Sequence, residues 1–549
     1  MSNKNPRSGA GAEGDPHAAF DADVAIVGFG PVGAMLANLL GQAGVNTVIL
    51  ERDIKPHTLP RAGSTDDEVM RIFQAAGLIE QLLPALDLGQ SAEFLSTQGR
   101  RLVTMCPMGR HNGFPQLAFF YQPDLEHVLH RGLERYPHVT IRMGTGVEAV
   151  HDDGDGVRVR ARTGEQGRHA VPPDIDLRVR YVVGCDGGRS TVRNLCSIAF
   201  GGATYAQPWF VVDAKLQAPL AHVSAFQFIG DTGRPTVTVP LPGNHHRWEF
   251  MVLPGEDHDD FATYENARRL VAPWIDPDEL TILRHIVYTF HARTAARWRL
   301  GRVLLAGDAA HLMPPFAGQG LASGMRDVHN LAWKLAAVIA GTAGDDLLDS
   351  YELERRPHVV RMTRLTQVSG ALVQTRSLPV AKVRDIVLRL VSHFRYFTDG
   401  RFKPHLRYRA GAFECRHAGA GHAFPQPRVR TSNGRIVLLD EVMGQGWAVL
   451  GQYRDPQDKL DDRWSALGAS YIAVCRPGHR PSVLQPGTVT VEDLDGHALN
   501  FFDRHRVDIA VVRPDRIVFT TSNTSRRSVD KARARSLFAS VQGVARVAP

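Results

Sequence analysis

Short apolar runs that end near glycine recur along the chain and predict buried strands. Residues 23–28 (DVAIVG) and 46–50 (NTVIL) are two such runs, and Leu36, Leu39 and Leu40 lie at helical spacing between them. Residues 181–185 (YVVGC) and 303–306 (VLLA) are followed in the same way by glycine and aspartate. Strands that alternate with helices are typical of an α/β fold with a parallel sheet.

The pattern changes between residues 202 and 295, where strand-like runs follow one another with little helix. The helix expected there lies near residues 261–274, and the runs cover residues 209–216, 223–229, 236–241, 247–253 and 281–291. They predict a mainly antiparallel sheet inserted into the first fold, with one face free to cover a pocket.

The last part of the chain predicts helices followed by a separate small α/β domain. The helical patterns cover residues 347–366 and 380–396, and short strands recur between residues 435 and 512. The predicted organisation is a disordered tail (1–20), a nucleotide-binding part (21–201), the inserted sheet (202–295), a second nucleotide-binding part with helices (296–402), a Pro-, Gly- and Arg-rich linker (403–424), a small domain (425–523) and a basic tail (524–549).

Composition narrows the function mainly by exclusion. A chain of 549 residues is too long for one core, and its net charge of +7 is not gathered in basic runs, which argues against nucleic acid as a partner. The five cysteines show no C-x-x-C and no metal-ligand spacing, so we expect no metal and reduced thiols in the cytoplasm. We expect no signal peptide and no membrane span, because the longest apolar helical stretch, residues 331–340, contains Lys334.

The first glycine-rich turn has the full context of a dinucleotide-binding site. Gly28, Gly30 and Gly33 form a G-x-G-x-x-G between a predicted strand and a helix, and Glu51 follows the next strand. In such a unit the glycines let a pyrophosphate approach the helix N-terminus, and the acid binds ribose hydroxyls. A glycine-rich turn that binds nothing is the less favoured interpretation.

The stretch 301–335 (GRVLLAGDAAHLMPPFAGQGLASGMRDVHNLAWKL) combines a strand end with a helix start. Asp308 follows the strand and is placed to accept hydrogen bonds from ligand hydroxyls. The N–H groups at residues 318–320 begin a helix and can face an anion. Residues 184–193 (GCDGGRSTVR) form a third strand end with glycine and an acid.

Taken in order, these three motifs resemble those of the FAD-dependent single-component aromatic hydroxylases, which are class A flavoprotein monooxygenases with a p-hydroxybenzoate hydroxylase-like fold. The similarity covers about residues 20–400. The segments that resemble the 3-(3-hydroxyphenyl)propionate/3-hydroxycinnamate hydroxylases in particular are residues 60–78 (PRAGSTDDEVMRIFQAAGL), 122–129 (QPDLEHVL), 246–256 (HRWEFMVLPGE) and 401–404 (RFKP). The resemblance implies an FAD/NAD(P)-binding Rossmann-type domain, an inserted substrate-domain sheet and a C-terminal thioredoxin-like α/β domain, which in this chain lacks C-x-x-C.

The resemblance also implies roles for individual residues toward FAD. Glu51 would hold the adenosine ribose, Arg61 would lie along the phosphates, and Gln122 would contact the flavin or its ribityl chain. Asp308 would bind the ribityl hydroxyls, and Pro314 would lie beside the reactive flavin carbon. The implied cofactor-binding residues are Gly28, Gly30, Pro31, Val32, Gly33, Glu51, Arg52, Arg61, Gln122, Gly307, Asp308, Ala309, Met313, Pro314, Gly318 and Gly320.

The implied reaction is ortho-hydroxylation of a phenolic acid to a catechol with O₂ and NADH or NADPH, most closely that of 3-(3-hydroxyphenyl)propanoate and 3-hydroxycinnamate in aromatic catabolism. The resemblance is also compatible with a homodimer. The sequence does not identify the catalytic base or the partner of the substrate carboxylate. Candidates by residue type are His246, His291 and Tyr288 for the base, each expected to be structural, and Arg234, Arg247 and Arg293 for the carboxylate.

Several other functions fit the nucleotide-binding pattern. One is a flavin hydroxylase of another phenol or of a polyketide-type aromatic, and another is a non-hydroxylating FAD oxidoreductase such as a saturated-bond reductase. A flavin halogenase is disfavoured because the W-x-W-x-I-P signature is absent. A nicotinamide dehydrogenase would leave Asp308 without a role, and a flavin-binding assembly protein without catalytic activity is the last alternative.

Overall fold

The computed structural model describes residues 20–56, 60–106, 109–110, 112–164, 174–399, 406–459, 463–479, 481 and 484–523. The two predicted tails, apart from Phe20, and the motif RFKP at residues 401–404 lie outside the described residues.

The two longest helices, Gln319–Ile339 and Asp349–Val373, lie in the second half of the chain. In chain order the helices are α1 Pro31–Gln42, α2 Asp67–Ala75, α3 Ile79–Leu82, α4 Gln122–Gly132, α5 Thr191–Leu195, α6 His258–Phe261, α7 Tyr264–Val271, α8 Gln319–Ile339, α9 Asp349–Val373, α10 Leu378–Val391, α11 Arg395–Thr398, α12 Leu439–Met443, α13 Arg463–Ala466 and α14 His497–His505.

The strands are short, and most of them lie between residues 22 and 312. In chain order they are β1 Ala22–Val27, β2 Thr47–Leu50, β3 Ser64–Thr65, β4 Leu86–Leu88, β5 Ala92–Leu95, β6 Arg101–Met105, β7 Ala118–Phe120, β8 Val139–Arg142, β9 Thr145–Asp152, β10 Val157–Thr163, β11 Ile175–Gly184, β12 Phe200–Thr204, β13 Trp209–Leu216, β14 Phe226–Ile229, β15 Thr236–Leu241, β16 His245–Met251, β17 Leu280–Tyr288, β18 His291–Ala295, β19 Arg299–Leu300, β20 Val303–Leu305, β21 His311–Leu312, β22 Arg428–Thr431, β23 Ile436–Leu438, β24 Ala448–Gln452, β25 Ser470–Cys475, β26 Thr488–Asp493, β27 Ile509–Val512 and β28 Val518–Ser522.

The first sheet has a parallel centre with the order β20-β11-β1-β2-β8. Its central strands are almost wholly buried, which explains their continuous apolar runs, because both faces of a parallel sheet are covered. Helices α1 and α8 pack in the same core. The predicted α/β class is therefore confirmed, with the strands predicted at residues 23–28, 46–50 and 303–306 in this sheet.

The second large sheet has the order β17-β13-β16-β15-β14-β5-β6 and is antiparallel except where β14 meets β5. The mainly antiparallel character agrees with the sequence pattern. The pattern missed β5 and β6, however, because these two short strands come from residues 92–105, far upstream of the predicted insertion. The predicted boundary between residues 201 and 202 falls inside β12.

The predicted single strand at residues 281–291 is wrong, because it divides into β17 and β18. β17 lies at the edge of the seven-stranded sheet, whereas β18 pairs with β12 and β21 in a separate three-stranded sheet. A run of apolar and aromatic residues does not reveal where the chain changes sheets, since the alternation continues through the break.

The C-terminal part forms a mixed sheet with the order β23-β22-β26-β25-β24-β27-β28 and its own core. The segment that precedes it, predicted as a linker at residues 403–424, is packed where it is described, since Tyr408 and Phe413 are each 3% exposed. Their aromatic rings bury enough apolar surface to override a Gly- and Arg-rich composition.

A buried charge cluster joins this domain to α8. Glu354 of α9 accepts hydrogen bonds from Lys334 and Asn330 of α8, at 2.9 and 2.6 Å, and from both terminal nitrogens of Arg513, at 2.7 and 2.9 Å. Arg513 also donates to Asp515. Burial by itself disfavours these charges, and their mutual attraction lowers the pKa of Glu354 and raises that of Arg513.

We expect Arg513→Met to destabilise the protein by about 3–5 kcal/mol, because Glu354 and Asp515 would remain buried without their main cation. Arg430→Met is the control, since Arg430 pairs with Glu492 on the exposed surface of the same domain and its loss should cost about 1 kcal/mol or less. The free energy of unfolding in urea measures both. Equal losses for the two variants would contradict the assignment of a stabilising role to the buried cluster.

Candidate active site

The carboxyl ends of four parallel strands open into one cavity. β1 ends at Val27, β2 at Leu50, β11 at Gly184 and β20 at Leu305, and the residues that follow them line a cavity of about 470 Å³. Open α/β sheets bind ligands at this edge. The three glycine-rich motifs of the sequence therefore meet in one place.

The first motif brings the N-terminus of α1 to the cavity. Gly28 has φ of +101°, and a Cβ atom on Gly33 would overlap the carbonyl oxygen of Gly28, so the turn packs directly on the helix. Glu51 accepts hydrogen bonds from the N–H of Phe29 at 2.7 Å and from the N–H of Asp53 at 2.8 Å. These bonds fix the Glu51 carboxylate at the cavity wall.

The second motif is joined to the third by Arg193. Its guanidinium donates to the carbonyl oxygens of Ala309 and Gly188, both at 2.9 Å. Asp186 lines the cavity and accepts a hydrogen bond from the N–H of Val192 at 3.0 Å. Asp186 was absent from the predicted site residues, although its place after a strand end was a usable signal.

Asp308 presents its carboxylate to the cavity from the turn Gly307–Ala309. Among the described residues it has no hydrogen-bond or ion-pair partner. The side chain is open to the cavity, but the cavity is deep, and burial therefore raises the pKa of Asp308, an effect that His311 and Arg61 offset only in part. A carboxylate in this position suits a ligand chain that carries several hydroxyl donors.

The buried carboxylate of Asp327 fixes the position of this turn. Its Oδ2 accepts a hydrogen bond from the N–H of Gly307 at 3.2 Å and bonds His311 Nε2 at 2.6 Å, while its Oδ1 accepts from Arg355 Nε at 2.9 Å. Asp327 is fully buried. Burial alone would raise its pKa, but the charges of His311 and Arg355 outweigh burial and lower it. One carboxylate thus connects the Asp308 turn, α8 and α9.

Helix α8 directs its first N–H groups at the cavity. Gly318 caps the helix with φ of +61°, no side chain accepts from the first turn, and Gly318 and Gly320 both line the cavity. A helix N-terminus carries about half a positive charge. Arg326, further along α8, pairs with Asp66 and Glu68, so the charge that favours an anionic ligand group at the helix start is that of the helix N-terminus itself.

The Arg61 loop (residues 60–62) is held from two sides. Gln122 Oε1 of α4 accepts hydrogen bonds from the N–H groups of Arg61 and Ala62, both at 2.7 Å. Arg247 of β16 donates to the carbonyl oxygens of residues 60 and 61, at 2.8 and 2.7 Å. The loop is therefore a fixed part of the cavity wall between the nucleotide-binding sheet and the antiparallel sheet.

Most of the predicted cofactor-binding residues line this cavity. Those that line it are Gly28, Gly30, Pro31, Val32, Glu51, Arg52, Arg61, Gln122, Asp308, Met313, Gly318 and Gly320. Four do not line it, namely Gly33, Gly307, Ala309 and Pro314, whereas the neighbouring Pro315 does.

The three candidate bases lie outside the cavity wall. His246 bonds Thr238 Oγ1 at 2.6 Å, and burial lowers the pKa of this histidine to about 3. His291 bonds Thr204 at 3.0 Å, and Tyr288 is bonded by Arg284 at 2.9 Å. These contacts agree with the structural role expected for each of them.

The candidate arginines for the substrate carboxylate are also engaged. Arg234 pairs with Glu256, and Arg293 donates to Thr204 Oγ1 at 2.8 Å, both away from the cavity wall. Arg247 does line the cavity, but its Nε donates to Asp213 at 2.7 Å and its other nitrogens hold the Arg61 loop. It serves chiefly to support the wall.

The part of the chain that the structure describes offers neither a metal site nor a membrane-spanning helix. No group of three or more of its His, Cys, Asp or Glu side chains is arranged to hold a metal ion. None of its helices combines the length and the apolar character that a membrane crossing requires.

Comparison with known proteins supports a flavin site. Residues 21–366 match the family described as FAD binding domain, and residues 421–535 match the HcaD C-terminal domain. The 3-(3-hydroxy-phenyl)propionate/3-hydroxycinnamic acid hydroxylase of Klebsiella pneumoniae (strain 342) is 40% identical over 518 residues, which cover 92% of each chain. The protein of the same name from Mycobacterium avium (strain 104) is 39% identical over 91% of this chain and 89% of its own.

Solved structures agree with this result. OxyS anhydrotetracycline hydroxylase from Streptomyces rimosus superposes with a TM-score of 0.72 at 26% identity, covering 94% of this chain and 98% of its own. Aklavinone-11 hydroxylase, solved with FAD and aklavinone, has a TM-score of 0.73 at 24% identity, covering 95% of this chain and 99% of its own, and supports the fold alone.

The fold and the cavity at its strand ends define an FAD-binding flavoprotein. The chain belongs to the family of FAD-dependent hydroxylases, and it is a flavoprotein monooxygenase with FAD as its cofactor. Both expectations from the sequence, the family and the cofactor, are confirmed.

We expect Gln122→Met to loosen the Arg61 loop, because two successive N–H groups would lose their acceptor, at a cost of about 1–3 kcal/mol. The expected result is a lower unfolding midpoint and faster release of FAD. Gln217→Met, which changes an exposed glutamine, is the control. If FAD release and stability were the same in both variants, the loop would not depend on Gln122.

Proposed function

We propose that this enzyme hydroxylates a phenolic acid ortho to its hydroxyl group, with 3-(3-hydroxyphenyl)propanoate and 3-hydroxycinnamate as substrates and the 2,3-dihydroxy acids as products. The observation that carries the proposal is the 40% identity, over 92% of both chains, to a hydroxylase named for these two acids. The proposed co-substrates are O₂ and NADH or NADPH. The one other G-x-G-x-x-G, from Gly9 to Gly14, is not preceded by a strand-like apolar run, so the sequence shows no second dinucleotide-binding unit and the nicotinamide would bind only transiently.

The cavity residues fit FAD when each is assigned to the group that its chemistry suits. The N-terminus of α1 would face the pyrophosphate, Glu51 the adenosine ribose and Arg61 the phosphates. Asp308 lacks a partner among the described residues and would accept hydrogen bonds from the ribityl hydroxyls. The N-terminus of α8 would lie at the pyrimidine end of the ring system, where reduced flavin is anionic.

When bound, FAD supplies the transfer of electrons from the nicotinamide and the activation of O₂. The protein has to bind the aromatic acid beside the ring, exclude water and favour ionisation of the phenol. The antiparallel sheet supplies the opposite wall of the cavity through Phe226, Val239 and Leu241, an apolar surface suited to an aromatic ring.

We also infer a cytoplasmic location and retain a homodimer as a prediction. The location is supported by the cysteines, which form no disulfide within the described residues. Gel filtration with light scattering measures the oligomeric state.

We expect the purified protein to be yellow and to oxidise NADH or NADPH rapidly only when 3-(3-hydroxyphenyl)propanoate is present, with one O₂ consumed and one catechol formed for each nicotinamide. Absorbance, an oxygen electrode and chromatography measure these quantities. The control ligand is 3-phenylpropanoate, which lacks the hydroxyl. The opposite result would be a flavoprotein that turns over a polycyclic phenol but no simple phenolic acid. The substrate would then be a polyketide-type aromatic.

We expect Asp308→Ala to weaken FAD binding about tenfold or more, since hydrogen bonds to a charged acceptor would be lost. Titration of the apoprotein with FAD, followed by flavin fluorescence, gives the dissociation constant. Asp346→Ala removes an exposed carboxylate from the same part of the fold and is the control. Unchanged FAD affinity in Asp308→Ala would refute the proposed contact with the ribityl chain.

A further inference from the structure

Strand β16 places one carboxyl group beside apolar residues in the sheet wall of the cavity. Successive side chains of a strand point to opposite faces. Trp248 and Phe250 pack into a core cluster on one face, whereas Arg247 and Glu249 line the cavity on the other. The sheet residues beside them in the cavity wall are apolar, namely Phe226, Val239 and Leu241.

Glu249 has no partner among the described residues. It is 8% exposed, and it forms neither a hydrogen bond nor an ion pair with them. The strands on either side place Val211 and Val237 opposite it, and neither can donate a side-chain hydrogen bond. Arg247 shares its face but is bonded to Asp213 and to the Arg61 loop. A buried carboxyl without a donor is costly, and a ligand that donates a hydrogen bond removes that cost.

The electrostatic surroundings suit a proton acceptor. Burial raises the pKa of Glu249, the neighbouring Arg247 and the more distant Arg284 offset this in part, and Asp213 adds to it. The raised pKa of the Glu249 carboxyl lies closer to the pKa of a phenol, which is about 10. Proton transfer between two groups is easier when their pKa values lie closer together.

We propose that Glu249 accepts the hydrogen bond of the substrate's phenolic hydroxyl and takes its proton as oxygen is transferred to the ring. The proposal rests on the proposed function of the cavity as a phenolic acid hydroxylase site. The negative charge of Glu249 would repel the substrate's own carboxylate, so the acid tail points away from β16 and the hydroxyl points toward it.

The proton balance of the step is simple. The phenolic O–H bond breaks, the proton moves to a carboxylate oxygen of Glu249, and the electron pair stays on the phenolic oxygen. That oxygen raises the electron density of the ortho carbon, which forms the new C–O bond to one atom of the O₂ that two electrons from the nicotinamide have reduced. The O–O bond breaks at the same time, and the other oxygen atom takes up the proton that the attacked carbon loses and leaves as water. Glu249 returns its proton to the phenolic oxygen, which regenerates the carboxylate.

The first test is a binding measurement on the oxidised holoenzyme. The ligands are 3-(3-hydroxyphenyl)propanoate and its deoxy analogue 3-phenylpropanoate, and the perturbation of flavin absorbance reports binding. We expect the wild-type enzyme to prefer the phenol about tenfold or more, as for a hydrogen bond to a charged group. In Glu249→Met the preference should fall to about one, while Glu279→Gln, which removes an exposed carboxylate just before β17, should leave it unchanged.

The second test keeps the proposal falsifiable if the methionine variant does not fold. Glu249→Gln retains the shape of the side chain but not its basicity, and we expect catechol formation per NADH oxidised to fall about 100-fold or more, with hydrogen peroxide released instead. In Glu249→Gln, phenols made more acidic by ring fluorine should show a smaller fall in catechol formed per NADH oxidised than the unsubstituted phenol. Glu249→Asp, which keeps a carboxylate, should form more catechol per NADH oxidised than Glu249→Gln. A purely structural role would show neither response.

The outcomes separate this inference from the proposed function. If the wild-type enzyme turns over no phenolic acid, the proposed function fails. If it does, but the phenol preference persists in Glu249→Met, or Glu249→Gln keeps full coupling, Glu249 is not the proton acceptor and the inference alone is overturned.

Discussion

The buried carboxylate of Asp327 is the contact on which the cavity depends most. It accepts the N–H of Gly307, bonds His311 and is paired with Arg355, so it connects a strand end, a turn and two long helices. A buried charge is tolerated only when its partners are in place, and removal of one partner is strongly destabilising. The direction in which Asp308 faces and the direction in which α8 begins are therefore set together.

The polar groups around the cavity divide into two kinds. Arg193, Gln122 and Arg247 are engaged by protein groups and hold the wall in one geometry. Asp308 and Glu249 have no partner among the described residues and lie open to the cavity. A rigid wall that leaves a few polar groups unsatisfied is the arrangement expected of a preformed ligand site.

The sequence predicted those features that depend on local pattern. The parallel strands, the α1 turn with Glu51 and the Asp308 turn were recognisable because hydrophobic runs and glycines have local causes. The place of β5 and β6 in the second sheet was not, since strand pairing between residues 92–105 and 226–229 leaves no local mark. Glu249 was missed for a related reason. The alternation of HRWEFM showed that Arg247 and Glu249 share a face. Only the assembled cavity showed that Arg247 is hydrogen-bonded to protein groups and that Glu249 has no such partner among the described residues.

The C-terminal domain, which lacks a C-x-x-C, is connected to the cavity through α8. Arg513 bonds Glu354, and Asp515 accepts a hydrogen bond from Asn330 of α8. The same helix begins at Gly318 beside the cavity, about 18 Å from Asn330 at the rise of an α-helix. In the placement of FAD proposed above, the positive end of α8 would favour the reduced, anionic ring, so the position of the helix would set part of the reduction potential. By fixing α8, the C-terminal domain would then influence how readily the flavin accepts electrons.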